Sequence, residues 1–125
     1  MKTKEITLCG KPVTLGYCFA AEIAYKDFAG EDILMLMQDA VASIKEERMP
    51  DVKKSLYAIL ACMLAYYNSK GEDTPINDAE LMNDASPLEI GTAIGAVLTL
   101  RAEFYDIPAG EPEDKPTKGK GRGKN

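Results

Sequence analysis

The feature that most constrains the fold is an uninterrupted apolar segment near the middle of the chain, residues 56–67 (LYAILACMLAYY). It lies within a predicted helix over about 51–69, with Asp51 as its N-cap. Twelve helical residues rise only about 18 Å, well short of a hydrocarbon core of about 30 Å, so the segment does not predict a membrane span. A helix that is apolar on every side is expected in the middle of the fold, with a subunit interface as the alternative.

The first residues predict a β-hairpin over 4–17, because apolar and polar residues alternate on both sides of a turn signal. Ile6 and Leu8 provide the alternation in the first strand, and the same pattern resumes in the second. Gly10 and Lys11 are expected at the two central positions of the turn.

After the hairpin the hydrophobic period changes to that of a helix of about three turns. Gly30 is expected to close this helix in the left-handed conformation. Phe19 and Ile23 are expected on one side of the helix, and the charged pair Lys26 and Asp27 on the other.

A second helix is predicted over about 31–47, where carboxylates at residues 31 and 32 favour a helix N-terminus. Its core stripe, at helical spacing, is expected to consist of Ile33, Met37, Ala40, Val41 and Ile44.

A short helix is predicted around 78–84, and the last helix has the clearest start signal in the chain. Ser86 and Glu89 stand three residues apart in the sequence SPLE, which is the pattern of a capping box with proline at the first helical position. This helix is expected to continue to Tyr105.

Four residues are candidates for contact with a partner. Met35 lies outside the apolar stripe of its helix, on the face expected to meet water. Gly91 and Gly95 lie four residues apart on one side of the last helix, together with Leu98. Another backbone can approach closely at such a strip, and packing inside the domain is its expected use.

Charge divides the chain into an acidic body and a basic end. The net charge is -5. The charged residues from 115 onward are all basic, and residues 108–125 are rich in proline, glycine and lysine, which predicts a disordered tail. An acidic body repels phosphate backbones, so no specific nucleic-acid binding is expected.

Histidine is absent, and the three cysteines show no metal-binding spacing. The missing imidazole excludes Ser-His and Cys-His catalytic pairs as well as His-ligated metal sites. The thiols are expected to be reduced small hydrophobes, and the N-terminus has no export signal. The chain is therefore predicted to be a non-enzymatic protein of the cytoplasm, without a metal or cofactor.

These patterns together predict a mainly α (α+β) protein with one globular domain over 1–107. An N-terminal hairpin over 4–17 would be followed by a compact bundle of about four to five helices over 18–107, and by the disordered tail over 108–125.

The order of these elements resembles the small tail assembly chaperones of long-tailed bacteriophages and prophages. The likeness rests on the hairpin ITLCGKPVTL at 6–15, the helix start FAAE at 19–22 and the helix end FAGEDI at 28–33, and it covers about residues 4–107. It implies a non-enzymatic protein of the host cytoplasm that binds and solubilises the tape-measure protein and assists assembly of the tail-tube protein.

The alternative is a structural head-tail connector or another tail component that remains in the particle, and self-association stays open in either case. The resemblance supplies no catalytic residues and no motif for the partner-binding surface. Met35 and the strip of Gly91, Gly95 and Leu98 are the candidates for contact with a helical client.

Overall fold

A computed structural model describes residues 1–107 of the chain. Within that range an antiparallel two-stranded hairpin is followed by five helices, so the predicted mainly α fold with an N-terminal hairpin is confirmed. The elements are β1 (Lys2–Leu8), β2 (Lys11–Tyr17), α1 (Phe19–Ala29), α2 (Ile33–Lys45), α3 (Val52–Lys70), α4 (Asp78–Asp84) and α5 (Pro87–Phe104). The predicted disordered tail over 108–125 lies outside the described residues.

The two central residues of the hairpin turn lie one position earlier in the chain than predicted. Leu8 pairs with Lys11 in the ladder, so Cys9 and Gly10 occupy the two central positions of the turn. Both have a positive φ, 53° and 74°, which is the pattern of a type I′ turn. The prediction of Gly10 and Lys11 as the central pair was wrong because a type I′ turn needs left-handed backbone at both positions. The hairpin also begins earlier, at Lys2.

Helix α3 lies in the middle of the fold, as its apolar sequence predicted. It packs against β2, α1 and α5, and also contacts α2 and α4. Its fully buried side chains meet the inward residues of the hairpin, among them Leu8, Val13 and Leu15. The buried residues of α3 are Ser55, Ala58, Ile59, Ala61, Cys62, Met63, Ala65 and Tyr67. One face of a two-stranded sheet is thereby covered by a helix, which such a small sheet needs for stability.

The predicted helix boundaries are confirmed at their capping residues. Gly30 has a φ of 75°, and its N–H donates to the Lys26 carbonyl. The Asp51 carboxylate accepts the Lys54 N–H at 3.0 Å. Each of these contacts satisfies a backbone group that an open helix end would leave unpaired.

The Ser86 capping box joins the hairpin turn to the start of α5. The Ser86 hydroxyl accepts the Glu89 N–H at 3.1 Å, and Glu89 Oε1 accepts the Ser86 N–H at 3.0 Å. The same carboxylate accepts the N–H groups of Cys9 at 3.1 Å and Gly10 at 3.2 Å. These backbone donors lower the pKa of Glu89, because each of them stabilises the charged form.

Helix α1 presents the opposite face to the one expected. Its buried residues are Ala21 and Tyr25, while Phe19 and Ile23 are each 63% exposed. The prediction that the charged pair at 26 and 27 faces away from Phe19 and Ile23 was therefore wrong, since all four share the outer side. Ala21 is small enough for close packing against the core, and the Tyr25 hydroxyl reaches Glu31 at 3.1 Å.

The predicted core stripe of α2 is correct in its first turns and wrong at its end. Ile33, Met37 and Ala40 are buried, but Ile44 is 70% exposed. Ser43 is buried instead, with its hydroxyl donating to the Ala40 carbonyl at 2.7 Å. A serine that bonds its own helix can enter the core without an unpaired polar group.

Candidate functional site

The predicted contact residues lie on two helices. Met35 on α2 is 56% exposed, on the side that was expected to meet water. Gly91 and Gly95 are exposed on α5, and a Cβ added at either would meet nothing within 4 Å. The expectation that the strip serves internal packing was wrong. Leu98 is partly buried against the core and therefore only borders the strip.

The exposed glycines lie on the outer face of α5, away from the residues that pack inward. The inward residues include Ile90, Ile94 and Val97. Leu88, at the start of the outer face, is 80% exposed. The helix carries no charged residue from 90 to 100, so this stretch of the outer face has no charged side chain of its own.

A second apolar surface was missed by the sequence reasoning. It consists of Phe19 and Ile23 of α1 with Phe104 and Tyr105 at the end of α5, and is called the aromatic surface below. The Phe19 and Phe104 rings are 5.1 Å apart at 85°, and those of Phe104 and Tyr105 are 5.0 Å apart at 82°. Edge-to-face pairs of this kind are favourable and fix the ring positions.

A shared carboxylate holds the aromatic surface together. Glu22 accepts the Tyr17 hydroxyl at 2.7 Å, and its Oε1 accepts the Tyr105 hydroxyl at 2.8 Å. Burial raises the pKa of Tyr17, as do its hydrogen bond to Glu22 and the charge of that carboxylate. The Arg101 guanidinium lies 4.8 Å from the centre of the Tyr105 ring. Residues from β2, α1 and α5 therefore meet at this surface in one defined arrangement.

The signal for the aromatic surface was present in the sequence but was assigned to the wrong side of α1. Phe19 and Ile23 stand four apart and form one stripe at helical spacing. Hydrophobicity alone favoured placing them inward. Ala21 and Tyr25, also four apart, form the competing stripe, and contacts from α3 and β2 decide between the two.

Among residues 1–107, no group of three or more histidine, cysteine, aspartate or glutamate side chains is arranged to hold a metal ion. Cys62 is buried, and burial raises the pKa of its thiol to about 12. None of the helices in the described range is long and apolar enough to cross a membrane.

Comparison of the chain with known protein families, with curated proteins and with solved structures found no match.

Proposed function

We propose that this protein is a non-enzymatic tail assembly chaperone of a long-tailed bacteriophage or prophage. In this role it binds the tape-measure protein in the host cytoplasm, keeps it soluble and assists assembly with the tail-tube protein. The proposal starts from the resemblance of residues 4–107 to that family. One structural observation supports it: apolar side chains are exposed on a domain whose body is acidic.

This combination of surfaces suits a protein that binds an aggregation-prone client and keeps it in solution. Exposed Met35 is a flexible, polarizable side chain that adapts to different apolar partners. The outer face of α5, with Gly91 and Gly95, lets a client helix approach the backbone closely. Seventeen acidic residues against ten basic ones within residues 1–107 keep the free protein soluble through mutual repulsion.

Co-expression with the product of a neighbouring long, helix-rich gene tests the proposal. We expect that product to stay in the soluble fraction and to co-purify with this protein only when both are expressed. We also expect finished particles to lack the chain. Detection of the chain in purified tails would favour the structural connector instead.

A pair of matched variants on α2 tests the contact residue. Met35→Asp should reduce client solubility, whereas Ile44→Asp should not, although both positions are exposed on the same helix. Equal client solubility with the two variants would remove Met35 from the contact surface.

A further inference from the structure

We infer that the aromatic surface docks an amphipathic helix of another protein, with lysine or arginine flanking the apolar face of that helix. The surface comprises Phe19, Ile23, Phe104 and Tyr105, as defined above. The inference does not depend on the tail-assembly role, since it follows from the shape and charge of this surface alone.

The apolar part of the surface has a shape against which a helix can pack. Phe19 and Ile23 lie one turn apart on α1 and are each 63% exposed, so they form a short ridge. Ala20 beside them is also exposed, and a small residue there leaves room for an incoming side chain. The rings of α5 border the ridge at 5.1 Å from Phe19 to Phe104. Helices pack together by receiving a ridge of this kind in a groove between their own rows of side chains.

The charged residues around the aromatic surface, which form its rim, indicate which sign of charge a partner should carry next to its apolar face. Asp27 follows Ile23 by one helical turn and is exposed, and Glu103 and Asp106 flank the two rings of α5. Lys26, the cation on the same side of α1, is 3.2 Å from the carboxylate of Asp32. Arg101, whose guanidinium lies 4.8 Å from the centre of the Tyr105 ring, is a second cation at this rim. Carboxylates still outnumber cations there, and basic flanking residues of a partner would complement that surplus of negative charge.

Two other candidate occupants, a second copy of the chain and residues 108–125, suit the surface less well. A second copy placed by two-fold symmetry would set one acidic rim against another, and such like-charge contacts are unfavourable. Apart from three prolines, residues 108–125 contain no aromatic side chain and no aliphatic side chain larger than alanine, so they offer no large apolar anchor for the ridge.

The test uses the full chain and three synthetic peptides of about 18 residues, or about five helical turns. The first has leucines at helical spacing and lysines elsewhere, the second has the same composition in scrambled order, and the third has glutamate in place of lysine. Binding is followed by NMR titration at about 150 mM salt, which screens contacts between distant charges. We expect the first peptide to bind at least about tenfold more tightly than either of the others.

Two serine variants locate the site. Phe19→Ser with Ile23→Ser should weaken binding of the first peptide by about tenfold or more, since both side chains are exposed and their loss leaves the core intact. Ile44→Ser, at a 70% exposed isoleucine on α2, is the matched control and should bind as the unaltered chain does. Circular dichroism and thermal unfolding confirm that the variants fold.

Four results would overturn the inference. Equal binding of the scrambled peptide would show that charge alone causes the attraction, and an equal loss in Ile44→Ser would place the contact elsewhere. A dimer of the unaltered chain that Ile23→Asp dissociates would assign the surface to a second copy. Tighter peptide binding after truncation behind Ile107 would assign it to residues 108–125.

Discussion

The contact between β2 and α3 makes a quantitative prediction. Thr14 donates its backbone N–H to the hydroxyl of Tyr67 in α3, at 3.1 Å. Tyr67 is 9% exposed and Thr14 is half-buried, so water has limited access to this donor. Tyr67→Phe removes the hydroxyl and keeps the ring. The variant therefore isolates the hydrogen bond that joins the hairpin to the central helix.

The expected loss in the free energy of unfolding is about 1.5 kcal/mol. A typical hydrogen bond contributes about 1 kcal/mol, and a buried donor left unpaired costs about 1 to 3 kcal/mol. The lower part of that range applies because Thr14 is only half-buried. The apolar area buried by the ring is unchanged, so no cavity contribution is added. For a domain of this size the loss corresponds to a fall in Tm of about 6 °C.

Urea unfolding followed by circular dichroism measures this loss, and amide hydrogen exchange at Thr14 reports the broken bond directly. Tyr57→Phe is the matched control, because Tyr57 lies on the same helix and its hydroxyl makes no hydrogen bond within residues 1–107. A Tyr67→Phe variant within about 0.3 kcal/mol of the unaltered protein, with the Thr14 amide still protected, would refute the reasoning. An equal loss in Tyr57→Phe would do the same.

Three further predictions concern other parts of the domain. Replacing Gly91 and Gly95 together by alanine should raise the free energy of unfolding by about 1 to 2 kcal/mol, because both are exposed helical glycines with open space around their Cα atoms; chemical denaturation checks this. The Arg48 side chain and a backbone N–H lower the pKa of Asp39, so its contribution to stability should be complete above the ordinary aspartate pKa and be lost as the pH falls below it. Asp39→Asn should flatten that acid limb in pH-dependent thermal unfolding. Cys62 should resist alkylation in the native protein and react on unfolding, because burial raises its thiol pKa to about 12; mass spectrometry of labelled peptides checks this.

Local signals were reliable where a single residue type has one strong backbone preference. Gly30 was placed correctly at the end of α1, and Ser86 with Glu89 was placed correctly at the start of α5. The hairpin turn shows the limit of such signals. Glycine marked the turn region, but Cys9 also has a positive φ. A cysteine side chain does not favour that conformation, so the sequence does not predict it.

Helix faces were less predictable than helix ends. On α1, the stripe of Phe19 and Ile23 competed with the stripe of Ala21 and Tyr25, and both have helical spacing. Ala21 and Tyr25 are the buried pair, and the Tyr25 hydroxyl has a partner in Glu31 at 3.1 Å, so the tyrosine enters the core with its polar group hydrogen-bonded. The aromatic surface depends in addition on the end of α5 meeting the start of α1, a contact that helical spacing does not show.

The sequence by itself determined the order of the elements, the helix caps, the central position of α3 and the exposure of Met35. These follow from periodicity and from backbone preferences that act within a few residues. Only the tertiary structure decided that Gly91 and Gly95 face outward and that Glu89 serves both its own helix and the hairpin turn. Such outcomes depend on contacts between residues distant in sequence, as with Glu89 and Cys9. Packing sets these contacts, because every buried polar group must find a partner and every buried surface a complementary shape.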